Sequence, residues 1–227
     1  SGNTSGKPAY GKVNSKSGNL YPYAQFADEG GSSLPLAKDY RYSYIEGLGN
    51  GKLLDWRYFP LEDYQHTPSE NNIADMLLSA GLNYTINKAF NIDFKYQFQR
   101  QQSNSRNLQD QDSYFARNLV NTYSQIDPST GRLIYKVPPG GVLDVSNSLL
   151  KSHNFRGQLN FNESWGKHEL HGLAGAEIRN TGSSSNSNRT YGYNSSNLTS
   201  ANVDNTITYP SIVNGANSFI PSGILPP

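Results

Sequence analysis

The chain has 227 residues, a formal net charge of +1 and no cysteine. Balanced charge argues against a nucleic-acid partner, which needs a basic patch. Absence of cysteine removes disulfide frameworks, thiolate metal sites and thiol nucleophiles. Mean hydropathy is −0.68, and no run approaches the ~18 apolar residues of a transmembrane helix.

Residues 1–35 are rich in Gly, Ser, Asn and Pro and read as irregular. The polar start, Ser1-Gly2-Asn3-Thr4, lacks the charged flank and apolar core of a signal peptide. With the Ile224-Leu225-Pro226-Pro227 end, it suggests a piece of a longer chain. Tyr40, Tyr42 and Tyr44 alternate with Arg41 and Ser43, which suggests a short strand. Leu53 to Leu61, around Trp56-Arg57-Tyr58-Phe59, is the densest aromatic stretch.

Residues 76–100 carry the strongest pattern. Met76, Leu78, Ala80, Leu82, Tyr84 and Ile86 alternate with mostly small or polar residues. After Asn87-Lys88-Ala89, alternation resumes with Phe90, Ile92, Phe94, Tyr96 and Phe98 on one face. Asn91, Asp93, Lys95, Gln97 and Gln99 occupy the other. Period two with a short connection predicts an antiparallel hairpin. Each strand can span the roughly 9–11 residues that cross a bilayer when tilted. The same alternation also suits a hairpin of a soluble sandwich.

Asp127-Pro128-Ser129-Thr130-Gly131 is a strong turn sequence and predicts a small hairpin from the residues flanking it. Val137-Pro138-Pro139-Gly140-Gly141 must leave any ladder, because proline cannot donate to it. A second long hairpin follows. Phe155, Gly157, Leu159 and Phe161 oppose Arg156, Gln158, Asn160 and Asn162. Trp165 to His168 makes the tight connection, and Leu170, Gly172, Ala174, Ala176 and Ile178 return on one face. Trp165, Tyr84 and Phe90 near the short turns suit an interfacial aromatic girdle, or plain turn packing. The tract 183–197 is rich in Ser and Asn and reads as mobile unless partners tie it down.

The expected organisation is all-β. Loop regions cover 1–70, 103–150 and 181–227; long hairpins cover 71–102 and 151–180. Short turns at one end and long loops at the other are the pattern of an outer-membrane barrel. Catalytic and cofactor signals are absent. His168 and His171, three apart on a strand, point to opposite faces. Asp110-Gln111-Asp112 lacks the remainder of a calcium loop.

Several segments, in order, resemble the SusC/RagA family of TonB-dependent transporters: Leu53 to Leu61, Ser113 to Asn121, Val137 to Asp144, Arg156 to Asn162, Lys167 to Arg179 and Arg189 to Tyr193. The resemblance implies a portion of a 22-stranded outer-membrane β-barrel with a plug domain, from Bacteroidota. It also implies import of glycans or peptides with TonB energy and a SusD-like surface lipoprotein as partner. No plug or TonB box is found in this chain, so coupling to TonB belongs to another part of such a protein. On this reading Asp93, Lys95, Gln97, Gln99, Arg156, Gln158 and Asn160 face a hydrated lumen. Trp56, Arg57, Tyr58, Tyr114, Phe115, Arg117 and Asn118 are candidate ligand contacts, through ring stacking and hydrogen bonds to hydroxyls. Their alternative role is packing of loop on loop. A soluble extracellular carbohydrate-binding β-sandwich and a surface adhesin remain as readings from other classes.

Overall fold

The computed structural model describes residues 24–223 and the backbone of residues 2 and 3. Much of the irregular segment expected over 1–35 therefore lies outside the described residues. Of those described, 54% are in strands and 12% in helix, and the sheets are antiparallel. The fold is mostly β, as the alternation predicts, and the described strands do not close into a barrel.

Six strands form one sheet: β1 (Gly2–Asn3), β2 (Ser69–Thr85), β3 (Phe90–Gln109), β6 (Gly141–Trp165), β7 (His168–Asn194) and β8 (Thr199–Ala201). Their order is β1-β2-β3-β6-β7-β8. Two small hairpins stand apart: β4 (Ser124–Ile126) with β5 (Leu133–Tyr135), and β9 (Thr208–Pro210) with β10 (Asn217–Phe219). Helical turns α1 (Tyr42–Ile45) and α2 (Pro60–Asp63) lie between β1 and β2 in the chain, and α3 (Tyr114–Thr122) follows β3. By compactness the chain divides into two units. The first comprises 1–71, 105–145 and 187–227; the second comprises 72–104 and 146–186.

The second unit holds the middle of the four long strands and both short turns. In the first turn, Asn87 Oδ1 accepts the backbone N–H groups of Ala89 and Phe90, both at 2.9 Å. This side-chain bond closes the loop without a glycine. The other turn uses Gly166 at φ +59°, where a Cβ would be strained. Apolar residues share one face. Phe90 packs on Phe161 with ring centroids 4.8 Å apart, and Phe94 stacks on Phe155 at 6.0 Å. These cross-strand pairs tie β3 to β6. The face is otherwise uncovered: Leu82 is 62% exposed, Tyr84 61% and Ile178 70%.

The first unit has a packed interior. Along α3, Ala116, Leu119, Val120 and Tyr123 recur at helical spacing and bury one stripe against Val137, Val142, Tyr191 and Ile220. Ser113 caps the helix, its side chain accepting from the Ala116 N–H at 3.2 Å. A second cluster joins Phe26, Ile45, Trp56, Tyr58 and Tyr114. Gly140 and Gly192 meet so closely that a Cβ on Gly140 would lie 2.8 Å from the Gly192 backbone. Val137 to Gly140 lie outside the strands, as the prolines require, but Gly141, expected to leave with them, opens β6.

Three expectations need correction, and the condition set on a fourth, that partners tie the Ser/Asn-rich tract down, is met. The strand expected at Tyr40 to Tyr44 is the helical turn α1. Helical spacing lets Tyr42, Ile45 and Leu48 all pack on the Trp56 cluster, which alternation could not do. Ser113 to Asn121, expected within a loop, is helix α3. The Ser/Asn-rich tract is ordered strand as far as Asn194, paired through Tyr191↔Ala201 and Asn194↔Thr199. A neighbouring strand supplies its backbone hydrogen bonds, so it needs no apolar face of its own. For the same reason the long strands outrun both expected hairpins, 71–102 and 151–180, by residues with weak alternation.

The small hairpin β4–β5 matches expectation, with Ser124↔Tyr135 and Ile126↔Leu133 in register. In its turn Asp127 Oδ1 accepts from the Ser129 hydroxyl at 2.6 Å and the Ser129 N–H at 2.8 Å. These bonds, led by the hydroxyl, hold the carboxyl down at about 2. A depressed carboxyl stabilises the fold above its unfolded value and loses that contribution as pH falls through its folded value. The turn should therefore loosen between roughly pH 4 and 2. An NMR titration of the Asp127 carboxyl should show a midpoint near the lower end; Asp127→Asn should abolish the step.

Candidate functional site

Two sets of residues carry polar chemistry. The first lies in the first unit, where the Trp56 stretch meets α3. Trp56 is buried at 5% exposure, with its indole N–H donating to Asn118 Oδ1 at 2.8 Å. Tyr40 meets its ring edge-on at 5.5 Å. One turn along α3, Asn121 pairs with the Leu54 backbone as a strand would. Its Oδ1 accepts from Leu54 N and its Nδ2 donates to Leu54 O, both at 2.9 Å. Arg117 donates to the Asp55 carbonyl at 2.5 Å. Asn121→Leu should leave both Leu54 groups unpaired and cost roughly 2–6 kcal/mol, at about 1–3 per lost partner. Chemical denaturation would measure it; a cost near zero would mean water replaces the amide.

Tyr58 and Tyr114 meet edge-to-face at 5.2 Å. The Lys38 ammonium lies 4.2 Å from the Tyr58 ring centre and 4.9 Å from that of Tyr114, a cation–π arrangement. Burial pushes the Tyr58 phenol up to about 12. Burial, then the Asp39 carboxylate that accepts from its hydroxyl at 2.8 Å, raises Tyr114 further. Both phenols stay protonated at any physiological pH.

Exposed groups lie beside this cluster. Arg57 forks onto Asp55, with Nη2–Oδ2 at 2.8 Å and Nε–Oδ1 at 3.0 Å. That hydrogen-bonded guanidinium holds the Asp55 carboxyl below its ordinary value. A recess of about 210 Å³ opens here, lined by Glu46, Leu48, Leu53, Asp55, Trp56 and Arg57 among others. It offers acids, a cation and aliphatic walls to a small polar ligand.

The structure thus gathers Trp56, Arg57, Tyr58, Tyr114, Arg117 and Asn118, as the sequence grouped them. It spends most of them on each other. The faces of Trp56, Tyr58 and Tyr114 are covered by protein, whereas Arg57 and Phe115 are exposed. Phe115 lies instead 5.4 Å from the Arg189 guanidinium. Asp55, Glu46 and Lys38 were missed from sequence. The Asp55-x-Arg57 spacing was the one local signal for the first of them.

Nearby, His66 Nδ1 is 2.8 Å from Asp110 Oδ2, with Asp112 close enough for all three to contact one cation. Asp110 has other work: its Oδ1 accepts the N–H groups of Asp112 and Ser113 at the start of α3.

The second set is the polar face of the second unit. Asn83 donates to Asp93 at 2.8 Å, Asn160 to Asp93 at 3.1 Å, Gln158 to Asn160 at 2.8 Å and Arg156 to Gln158 at 2.9 Å. Gln99 donates to Asp75. Asp93, Lys95, Gln97, Gln99, Arg156, Gln158 and Asn160 therefore share one face, as expected. An open groove of about 530 Å³ runs over it, with Lys95, Gln97, Asn154, Arg156 and Glu177 in its lining and Gly81 leaving room.

Against known proteins, no family model matches the chain and no curated protein matches it.

Proposed function

We propose that this chain is a portion of an outer-membrane β-barrel transporter of the SusC/RagA, TonB-dependent type. It would supply four membrane strands and several extracellular loops to a protein that imports glycans or peptides. The observation that carries the reading is the two-faced second unit. Its apolar face is uncovered, while the opposite face is polar and carries a hydrogen-bonded chain from Asn83 through Asp93, Asn160 and Gln158 to Arg156. A barrel wall needs both, lipid outside and water inside. Open outer edges on β2 over 72–85 and β7 over 168–186, among the described residues, would receive the neighbouring strands of the larger barrel.

On this proposal Asp93, Lys95, Gln97, Gln99, Arg156, Gln158 and Asn160 face the lumen, and the first unit belongs to the extracellular side. The SusD-like lipoprotein would meet that side, and TonB would act through a plug outside this chain. Arg57, Asp55 and Phe115 remain as ligand contacts, with the recess beside Trp56 as the pocket for a sugar or peptide group. No catalytic role is proposed.

Spin labels in the parent protein test the facing. Labels at Leu82, Phe94 and Leu159 should respond to lipid-soluble quenchers, and labels at Asn83, Lys95 and Gln158 to aqueous ones. The reverse pattern, or none, would sink the barrel reading. Protection of the first three from both quenchers would instead indicate a soluble sandwich with a second sheet over the apolar face.

A further inference from the structure

We propose that the apolar face of the second unit carries, at its end away from the short turns, a binding site for a phosphate-bearing lipid. Arg100 and Lys151 hold the phosphate, and the acyl chains lie along the apolar strip. The proposal rests on the barrel reading, which puts this face in lipid. On β3, Arg100 has the parity of Phe94, Tyr96 and Phe98; on β6, Lys151 has that of His153, Phe155 and Leu159. His153 joins the two strands at this level, its ring 4.9 Å from Phe98 and its Nδ1 2.8 Å from the Tyr96 hydroxyl. One step further along this antiparallel pair come Arg100 and Lys151, at the same offset as Phe98 and His153 and therefore cross-strand neighbours. Both are exposed, and neither makes an ion pair among the described residues.

Charge is sorted between the two faces. Asp75, Asp93, Glu169 and Glu177 all fall on the polar face by parity. Within the strands of this unit, Glu163 alone shares the apolar side. It stands beside the Trp165 turn, roughly 40 Å along β6 from Lys151 at about 3.3 Å per residue. Two neighbouring cations without a local acid repel each other and favour an anion between them. A recess of about 320 Å³ opens beside Arg100, and Gln102, Asn147, Ser184 and Asn186 from three strands line it with amides and a hydroxyl. No carboxylate lines it. A phosphate takes paired hydrogen bonds from a guanidinium fork and single ones from hydroxyl and amide donors.

The adjoining surface is what selects a lipid. Next to the cations come Tyr96, Phe98 and His153, and beyond them Phe94, Phe155 and Leu159 stand 40%, 47% and 38% exposed. A soluble anion would leave that apolar strip uncovered. A lipid with its phosphate at the cations covers it with hydrocarbon, so one ligand meets both demands. Tyrosine and histidine, apolar in body and polar at the tip, suit the level between headgroup and chain.

Native mass spectrometry of the parent protein in dodecyl maltoside micelles tests the site by reading the lipids retained. Dioleoyl phosphatidic acid should bind about tenfold tighter than dioleoyl phosphatidylcholine, which has the same chains and no net charge. Arg100→Gln and Lys151→Gln should each weaken phosphatidic acid about fivefold, the worth of one cation at an anionic lipid surface, and leave phosphatidylcholine unchanged. Arg100→Lys should keep most of the affinity, and Lys88→Gln, in the turn at the other end, all of it. Circular dichroism checks that each variant folds, and Arg100→Lys keeps the assignment testable if a neutral variant does not. Equal retention of the two lipids, or indifference to both neutral variants, would overturn the site and leave two cations that merely reach for water. Displacement of phosphatidic acid by inorganic phosphate, or by an oligo-aspartate peptide, would overturn the lipid assignment. The quencher experiment separates the two failures. Lipid quenching at Leu82 and Phe94 without phosphate selectivity removes this site alone, whereas absence of lipid quenching removes the barrel reading and this site together.

Discussion

Trp56→Ala should cost the first unit about 3–5 kcal/mol, the usual range for removing a large buried aromatic side chain. Trp56 is 5% exposed and packs among Phe26, Ile45, Tyr58 and Tyr114. Truncation leaves a cavity and strips Asn118 Oδ1 of its indole donor. Chemical denaturation would report the loss directly. In a complete transporter the same change should lower surface abundance, and uptake of the cognate ligand should fall in proportion. Tyr114→Ala should behave alike, because its ring is equally covered and its hydroxyl is committed to Asp39. Arg57→Ala separates stability from binding. Its ion pair with Asp55 is exposed, with side chains 52% and 44% accessible, and such pairs contribute about 0–1 kcal/mol. Uptake lost at unchanged abundance in Arg57→Ala would place the ligand at the recess. Uptake lost at unchanged abundance in Trp56→Ala would contradict the packing role.

Phe94→Arg should cost roughly 2–4 kcal/mol in a bilayer if Phe94 lies near the midplane, the depth at which a lipid-facing cation is least tolerated. Phe94 is 40% exposed on the apolar face. Its ring stacks on Phe155, and a Cβ built on Gly157 would come within 3.4 Å of it. The glycine on β6 leaves room for the ring. Gln97→Arg, on the polar face of the same strand, provides the comparison and should change stability little. Refolding into vesicles with urea would measure both. Equal costs at the two positions, or a larger one for Gln97→Arg, would argue that the faces are assigned the wrong way round.

The four long strands, their two short turns and the division into apolar and polar faces were legible without coordinates. They rest on a period of two, and a strand sends alternate side chains to opposite faces wherever it lies. The small hairpin around Asp127 was legible for a similar local reason, through its turn residues. Helix α3 was written there too, in the Ser113 cap and the Ala116, Leu119, Val120, Tyr123 spacing, but surrounding aromatics drew attention to ligand contact instead.

Tertiary structure alone decided how far the strands run and what the loop aromatics do. Polar residues beyond Asn180 form strand because β8 and β6 pair with their backbone, and a backbone ladder leaves no side-chain pattern. Trp56 reaches Asn118 across 62 positions of sequence, and Tyr114 reaches Asp39 across 75. An aromatic residue that could stack on a ligand and one that fills a core have the same local sequence. Which it does depends on whether distant chain covers its face, and that is fixed only when the chain has folded.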